Sequence, residues 1–390
     1  MSFTRKPPQA LDAMKILVLE WTMPVTLWGG TAIATHSFSR ELVALGHEVL
    51  VVTTQCDGPV GCREEDGLCV RRIRGTGRLL TKYARYCVKS LAAAWQFRPT
   101  VVHAQSMWMA LPAFMCRVAL RVRYVVWLQG ADVYNPRWFR GPLSALVLGK
   151  SALVLALTCD MQRRAMALGA KRIQVVGNGV DTSRFGFSKM TYARHALGLS
   201  PALSYCLFAG SLVPVKGVAY LIEAWRMVER ECQDARLLIV GDGPDRDGLR
   251  SAVEQAGVGD SVCFAGRVPN PDVALYMAAA DLFVLPSLSE GFPLVVLEAM
   301  ASGLPVVVSN VTGLAEIVAD GENGLLVPPT DVKRLAAAMV RLIESPEERD
   351  RIGRANREAA AARSWTAIAE ALVHIYRAVG QGADAESNHV

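Results

Sequence analysis

The 390-residue sequence contains no apolar run long enough to span a bilayer. Its nearest approach, PLSALVLGKSALVLALT, is broken by Gly149 and Lys150 and reads as a helix end followed by a buried strand. The opening residues, MSFTRKPPQALDA, lack the apolar stretch of a secretory signal and read as a loose extension before Met14. Nine cysteines are scattered without metal-ligand spacing, and the six histidines are not clustered, so no metal is expected. Cys87, Cys206 and Cys263 sit in apolar segments, where cysteine acts as a small hydrophobe. An odd number of dispersed thiols fits a reducing, cytoplasmic setting. Short repeats and low-complexity tracts are absent, which sets aside solenoids and disordered chains.

What is present is length and apolar pattern. A chain this long exceeds what one core usually organises, so two domains are expected. Residues 1–195 hold 26 Lys and Arg against 11 Asp and Glu, a net of +15, while the remainder nets −9. A basic half can attract nucleic acid, phosphorylated substrates or an anionic membrane. Short β-branched runs (KILVLEW, HEVLVVTT, LCVRRI, TVVHA, RYVVWL, ALVLALT, RIQVV) alternate with helical spacing in the first half, including helices at 77–97 and 107–121. YCLFAG, RLLIVG, SVCFAG, LFVLPS, PVVVS and GLLVPP repeat the scheme in the second. This alternation predicts an α/β fold of two doubly wound, Rossmann-like domains with parallel sheets covered on both faces. Residues 177–200 show no clear period and are the expected linker. Ligands of such sheets bind beyond the carboxyl ends of the strands, so a cleft between two such domains is the expected site.

The strand-end loops carry the candidate chemistry. Lys216, just before a helix near Val218, reads as a phosphate ligand or as a solvated loop lysine. Asp245 and Asp247 read first as carboxylates at a helix start. Arg267 and Val268 follow another strand, where backbone groups can meet a nucleotide base. In SEGFPLVVLEAMASG, Pro293 suits a first helical position and Gly303 a stop. The free N–H groups near Gly291, Phe292 and Leu294 favour an anion such as a diphosphate. Glu290 stands at the mouth of that site and Glu298 farther along the helix. A carboxylate accepts two hydroxyl hydrogens, which suits vicinal diols on a sugar. In the first half, Gly29 and Gly30 let backbone approach a phosphate or sugar. His103 reads as a core or cleft residue, and Gln129, Gly130 and Asp132 as polar groups able to bind sugar hydroxyls.

These residues resemble a family. From Ala209 to Val327, the motifs GSLVPVKG, LLIVGDGP, FAGRV, PSLSEGFPLVVLEAMASGLPVV and ENGLLVPP resemble the GT-B retaining glycosyltransferases of family 4. VVGNGVDTSRF at 175–185, the glycines at 29–30 and ELVALGHEVLVVT extend the resemblance over nearly the whole chain. It implies an N-terminal acceptor-side domain at 1–190, completed by a C-terminal helix at 364–380, and a nucleotide-sugar domain at 191–363. It implies that Glu298 binds the ribose and Glu290 the donor sugar. Groups around Gly291, Phe292, Pro293 and Leu294 hold sugar and phosphate, Lys216 neutralises the diphosphate, and the chain at Arg267 and Val268 meets the base. Gly29 and Gly30 join the donor side, and His103, Gln129 and Asp132 the acceptor side. Lys216, Glu290 and Gln129 are the expected catalytic residues. Two positions depart from the family: Ser211 stands where arginine is usual beside the diphosphate, and Gln129 where many members carry histidine.

The implied reaction moves a hexose from a UDP- or GDP-sugar to a saccharide or lipid-linked acceptor, with no cofactor beyond the sugar nucleotide. A sugar-nucleotide epimerase of the same fold and a non-catalytic sugar-nucleotide scaffold are the alternatives. Arg78, Lys82, Arg85 and Lys89 share a face of helix 77–97, with Arg71, Arg72 and Arg74 before it and Arg117, Arg121 and Arg123 after the next helix. That surface reads either as a solvated face or as one that docks peripherally on anionic lipid at the cytoplasmic side. Nucleic acid is not expected, because no recognised nucleic-acid module accompanies the charge.

Overall fold

The computed structural model describes residues 13–24, 29–54, 58–134, 141–186 and 190–381. The expected N-terminal extension and part of the loop before Gly29 lie outside these residues. The chain divides into two compact units, Met1–Gly179 with Trp365–Val390, and Val180–Ser364. Each is built on a mainly parallel sheet, with helices between most of its strands.

The first unit holds β1 (Lys15–Thr22), β2 (Glu48–Thr54), β3 (Gly61–Glu65), β4 (Leu68–Ile73), β5 (Val101–Ala104), β6 (Arg123–Trp127), β7 (Leu153–Ala156) and β8 (Ile173–Val175). Their order across the sheet is β3-β4-β2-β1-β5-β6-β7-β8. Every pairing is parallel except β3 with β4. Parallel strands need helical crossovers, which cover both faces and explain why β5 and β7 are apolar at every buried position save His103. Ile16, Leu17, Val18 and Leu19 are fully buried. At about 1.5–3 kcal/mol each, their burial outweighs the cost of carrying the hydrogen-bonded Glu20 into the same layer.

β3 is an element that apolar pattern did not predict. GCREE is exposed or half-buried along its length because it is the sheet edge. Its signal is instead the Asp66–Gly67 pair, both at positive φ (49° and 79°), which closes a two-residue hairpin. The helix Trp365–Gln381 packs on the helix Gly30–Ala44, with Thr366 Oγ1 donating to Glu41 Oε2 at 2.8 Å. Gly179 passes so close to Trp365 that a β-carbon there would lie 2.8 Å from the indole.

The second unit holds β9 (Ser204–Ala209), β10 (Ala235–Val240), β11 (Val262–Gly266), β12 (Leu282–Leu285), β13 (Val306–Ser309) and β14 (Leu325–Val327). All are parallel, in the order β11-β10-β9-β12-β13-β14. The segment expected as an aperiodic linker contains two short helices, Thr182–Phe185 and Met190–Ala196. Their four and seven residues are too few to show a helical period. Local bonds hold them: Asp181 Oδ1 accepts the N–H groups of Ser183 and Arg184 at 3.1 Å, and Arg194 pairs with Asp281 at 2.7 Å. Among the described residues no helix is long and apolar enough to cross a membrane.

Candidate functional site

The strand order of the second unit reverses at β9. β10 and β11 continue to one side, and β12, β13 and β14 to the other. At such a reversal the loops after the two central strands diverge to opposite faces and leave a crevice beyond the strand ends. The loop after β9 brings Lys216 there, and the loop after β12 brings Glu290. Lys216 Nζ donates to Glu290 Oε1 at 2.6 Å, though the two lie 74 residues apart. Ser287 Oγ donates to the same oxygen at 2.7 Å. Glu290 Oε2 carries no hydrogen bond to the protein among the described residues, which leaves one acceptor oxygen.

Backbone contacts fix this pairing. Leu288 N–H donates to Val215 O at 2.8 Å, lacing one loop to the other. Gly217 has φ 69°, and a β-carbon on it would lie 2.0 Å from Pro286 O, so only glycine fits. A β-carbon on Gly313 would lie 2.4 Å from the carbonyls of both Glu290 and Gly291.

The helix Leu294–Ala301 begins beside Glu290. Pro293 was expected at its first helical position; the structure makes it the N-cap, with φ −77° and ψ 110°. The residue before the helix proper keeps extended geometry, and Leu294 takes the first helical turn. Pro293 offers no capping side chain, so the first N–H groups remain available for an anion. Phe292 and Leu294 are buried and Gly291 is half-buried.

Glu298 follows on that helix and is half-buried. Desolvation pushes its pKa up to about 7, and the nearby Arg184 guanidinium partly offsets this. Arg184, on the helix Thr182–Phe185, lies over the Phe185 ring at 4.9 Å, and its Nε and Nη2 are shielded without a hydrogen-bond partner. Burial lowers its pKa, opposed first by Glu298 and then by Asp181 and Asp272. Arg184 lies within VVGNGVDTSRF, a stretch whose spacing alone gives no sign of a site residue. Ser287 was missed as well, although its place three residues before Glu290 was a usable signal.

The other predicted donor residues are more dispersed. Ser211 is exposed at the start of the loop that carries Lys216. Arg267 is exposed and Val268 half-buried just after β11, which lies two strands from β9. Among the described residues, no three His, Cys, Asp or Glu side chains converge to hold a metal ion.

In the first unit, Gly29 and Gly30 are exposed, with Gly29 at φ 87° capping the helix Gly30–Ala44. Gln129 is half-buried just past β6, and its Nε2 lacks a partner. Asp132, predicted to read sugar hydroxyls, is instead a buried loop clamp. Its Oδ2 accepts Met107 N–H at 2.7 Å, and its Oδ1 accepts Gly130 N–H at 3.0 Å and Gln129 N–H at 3.2 Å. Three backbone donors occupy the carboxylate, and burial raises its pKa against their effect. His103 is corrected too. It has no exposed surface, and its ring bonds Gln105 Oε1 and Tyr376 Oη, each at 2.7 Å. Burial lowers its pKa to about 4, so it is a neutral core histidine that no sugar reaches.

A second buried carboxylate, Glu20 at the end of β1, was not singled out from the sequence. It accepts Trp21 N–H at 2.8 Å, Thr22 N–H at 3.3 Å and Thr35 Oγ1 at 3.0 Å. Desolvation dominates and pushes its pKa up to about 8. With both oxygens engaged, it holds the strand exit to the helix Gly30–Ala44.

Of the basic residues expected on one surface, Arg74, Arg78, Lys89, Arg121 and Arg123 are exposed, and Arg72 is not. Arg72 is buried, donating to Glu65 and, at 3.1 Å, to Met23 O. Lys82 sits over the Trp21 ring at 5.0 Å, and Arg85 donates to the carbonyls of Arg74 and Thr76. Arg78, the N-cap of the helix Leu79–Phe97, and Lys89 within it are exposed. Beside them Leu80, Val88 and Trp95 are exposed by 73%, 62% and 69%, forming one apolar stripe at helical spacing.

A family model described as glycosyl transferases group 1 matches residues 194–359, and one described as glycosyltransferase family 4 matches residues 28–184. A glycogen synthase of Mycobacterium tuberculosis is 28% identical over 404 aligned positions, 95% of this chain and 96% of that protein. A D-inositol 3-phosphate glycosyltransferase of Segniliparus rotundus is 37% identical over 220 positions, 55% of this chain and 49% of that protein. Sucrose-phosphate synthase from Thermosynechococcus elongatus shares the fold with a TM-score of 0.83 at 22% identity, covering 95% of this chain and 100% of that one. Anabaena HepE, solved in complex with UDP and glucose, shares it with a TM-score of 0.78 at 22% identity, covering 93% and 99%.

Proposed function

The chain belongs to the group 1, family 4 glycosyltransferases of GT-B fold, and from that premise we propose that it moves a hexose from a UDP- or GDP-sugar to a saccharide or lipid-linked acceptor with retention of anomeric configuration. The observation that carries the reading is the Lys216–Glu290 contact at the strand-order reversal, beside a helix start that no side chain caps.

An ammonium has three N–H donors. One is on Glu290, and two serve phosphate oxygens together with the first N–H groups of the helix Leu294–Ala301. Glu290 Oε2 accepts a hydroxyl of the transferred sugar. Glu298 accepts the two ribose hydroxyls, and Arg184 favours the ionised carboxylate that this needs. Main chain at Arg267 and Val268 meets the base. Ser211 adds no charge, so the cationic work rests on Lys216 and the helix N-terminus.

In the reaction the bond from the anomeric carbon to the diphosphate oxygen breaks, and one to the acceptor oxygen forms on the same face. The departing phosphate oxygen takes the acceptor's proton, and Lys216 and the N–H groups stabilise the charge that develops on it. Gln129, held by the Asp132 clamp, orients an acceptor hydroxyl without exchanging protons. HepE was solved with UDP-glucose, which favours a UDP-sugar as the first donor to try.

The first unit docks on an anionic lipid surface through the helix Leu79–Phe97. Leu80, Val88 and Trp95 supply the apolar stripe, and Arg78 and Lys89 the charge. Calorimetric titration of the full chain with a panel of UDP- and GDP-sugars tests the donor reading. One sugar nucleotide binds saturably if the reading holds, and none does if it is wrong.

A further inference from the structure

We propose that Cys62 and Cys69 form a reversible dithiol–disulfide pair that staples the β3–β4 edge hairpin of the first unit. In the hairpin register Glu64 faces Cys69 and Cys62 faces Arg71. Side chains on directly opposed residues share a face, so both cysteines lie on the same side of the ribbon as diagonal neighbours. Both are exposed, and their sulfurs stand 3.0 Å apart. A disulfide bond is about 2.0 Å long, so closure brings the sulfurs about 1 Å nearer, with the exposed edge strand adjusting to the bridge.

The hairpin is also a structural tether. Arg72 on β4 donates to Met23 O at the exit of β1, and Asp66 in the turn lies 3.5 Å from His36 of the helix Gly30–Ala44. Closing the sulfurs therefore fixes the edge that carries both contacts.

The reaction needs an oxidant, and a small-molecule disulfide such as oxidised glutathione serves. The Cys62 thiolate attacks it, one glutathione thiolate leaves, and a mixed disulfide forms. Cys69 then attacks the Cys62 sulfur, expelling the second glutathione. The two protons lost by the cysteines end on the two glutathione thiols, and two electrons pass from the protein to the oxidant. Desolvation, with the adjacent Cys62, pushes the Cys69 thiol up to about 11, which makes Cys69 slow to open the exchange.

The test is incubation of the full chain with oxidised glutathione, followed by alkylation, intact mass and peptide mapping. The expected result is the loss of two hydrogens in mass and of alkylation at both Cys62 and Cys69, reversed by dithiothreitol. Exposed Cys263 stays alkylated throughout as a control. Cys62→Ser and Cys69→Ser each lose the internal disulfide and stop at a single mixed disulfide with glutathione on the remaining cysteine. The proposal is overturned if both wild-type cysteines stay alkylatable, if each carries its own glutathione, or if either bridges to a different cysteine.

Discussion

Replacing Glu298 with glutamine isolates what its charge does. The side chain keeps its shape and one acceptor oxygen, but an NH2 group replaces the other. If both ribose hydroxyls donate to this carboxylate, one bond to a charged acceptor is lost. Such bonds are worth about 1.5–3 kcal/mol, so sugar-nucleotide affinity should fall roughly 10- to 150-fold. The raised pKa adds a second readout. Wild-type Glu298 is increasingly protonated below about pH 7 and must release that proton to accept both hydroxyls. Donor affinity is therefore full above that pH and declines as pH falls, at up to about tenfold per pH unit. Glu298→Gln should show no such slope in the same window. Stability runs the opposite way. A carboxyl whose folded pKa lies above its ordinary 4.5 favours the fold while protonated, and that contribution is lost as pH rises through about 7. The glutamine variant should thus melt higher than wild type at pH 8. Calorimetry across pH and thermal melts read both effects. Unchanged donor affinity, or a variant that keeps the wild-type slope, would refute the reasoning.

Lys216→Met removes two proposed phosphate contacts while Ser287 still holds Glu290. The expected loss in kcat/KM is about 10²- to 10⁴-fold with little change in melting temperature, and a near-native rate would contradict the assignment. On the membrane side, flotation with anionic vesicles should retain the protein, and zwitterionic vesicles should not. The triple change of Leu80, Val88 and Trp95 to serine should abolish retention; binding indifferent to lipid charge would rule the docking out.

Much of the fold was legible because most strands are buried on both faces and read as unbroken apolar runs. β3 escaped because an edge strand has no apolar face, and with it went the Cys62–Cys69 pairing, which exists only once the hairpin register is known. Arg72 shows a signal left unused. It shares the inward parity of Leu68 and Val70 along β4, while Arg71 alternates outward. His103 could not be resolved by parity, because a doubly covered strand buries both faces and VVHA reads the same either way. In the site, the sequence pointed to Glu290, Glu298 and Lys216 separately. Only the strand order brings Lys216 onto Glu290 and makes the two loops one structure. Asp132 was misread because a strand-end carboxylate looks the same whether it meets a ligand or three backbone amides.

The most direct test of the proposed reaction is the stereochemistry of transfer. The full chain is incubated with the sugar nucleotide that it binds and a saccharide acceptor, with excess chelator present, and the anomeric proton of the product is followed by NMR. An α-linked donor should give an α-linked product, formed at an undiminished rate with chelator. A β-linked product, or transfer that stops when divalent ions are removed, would contradict the account.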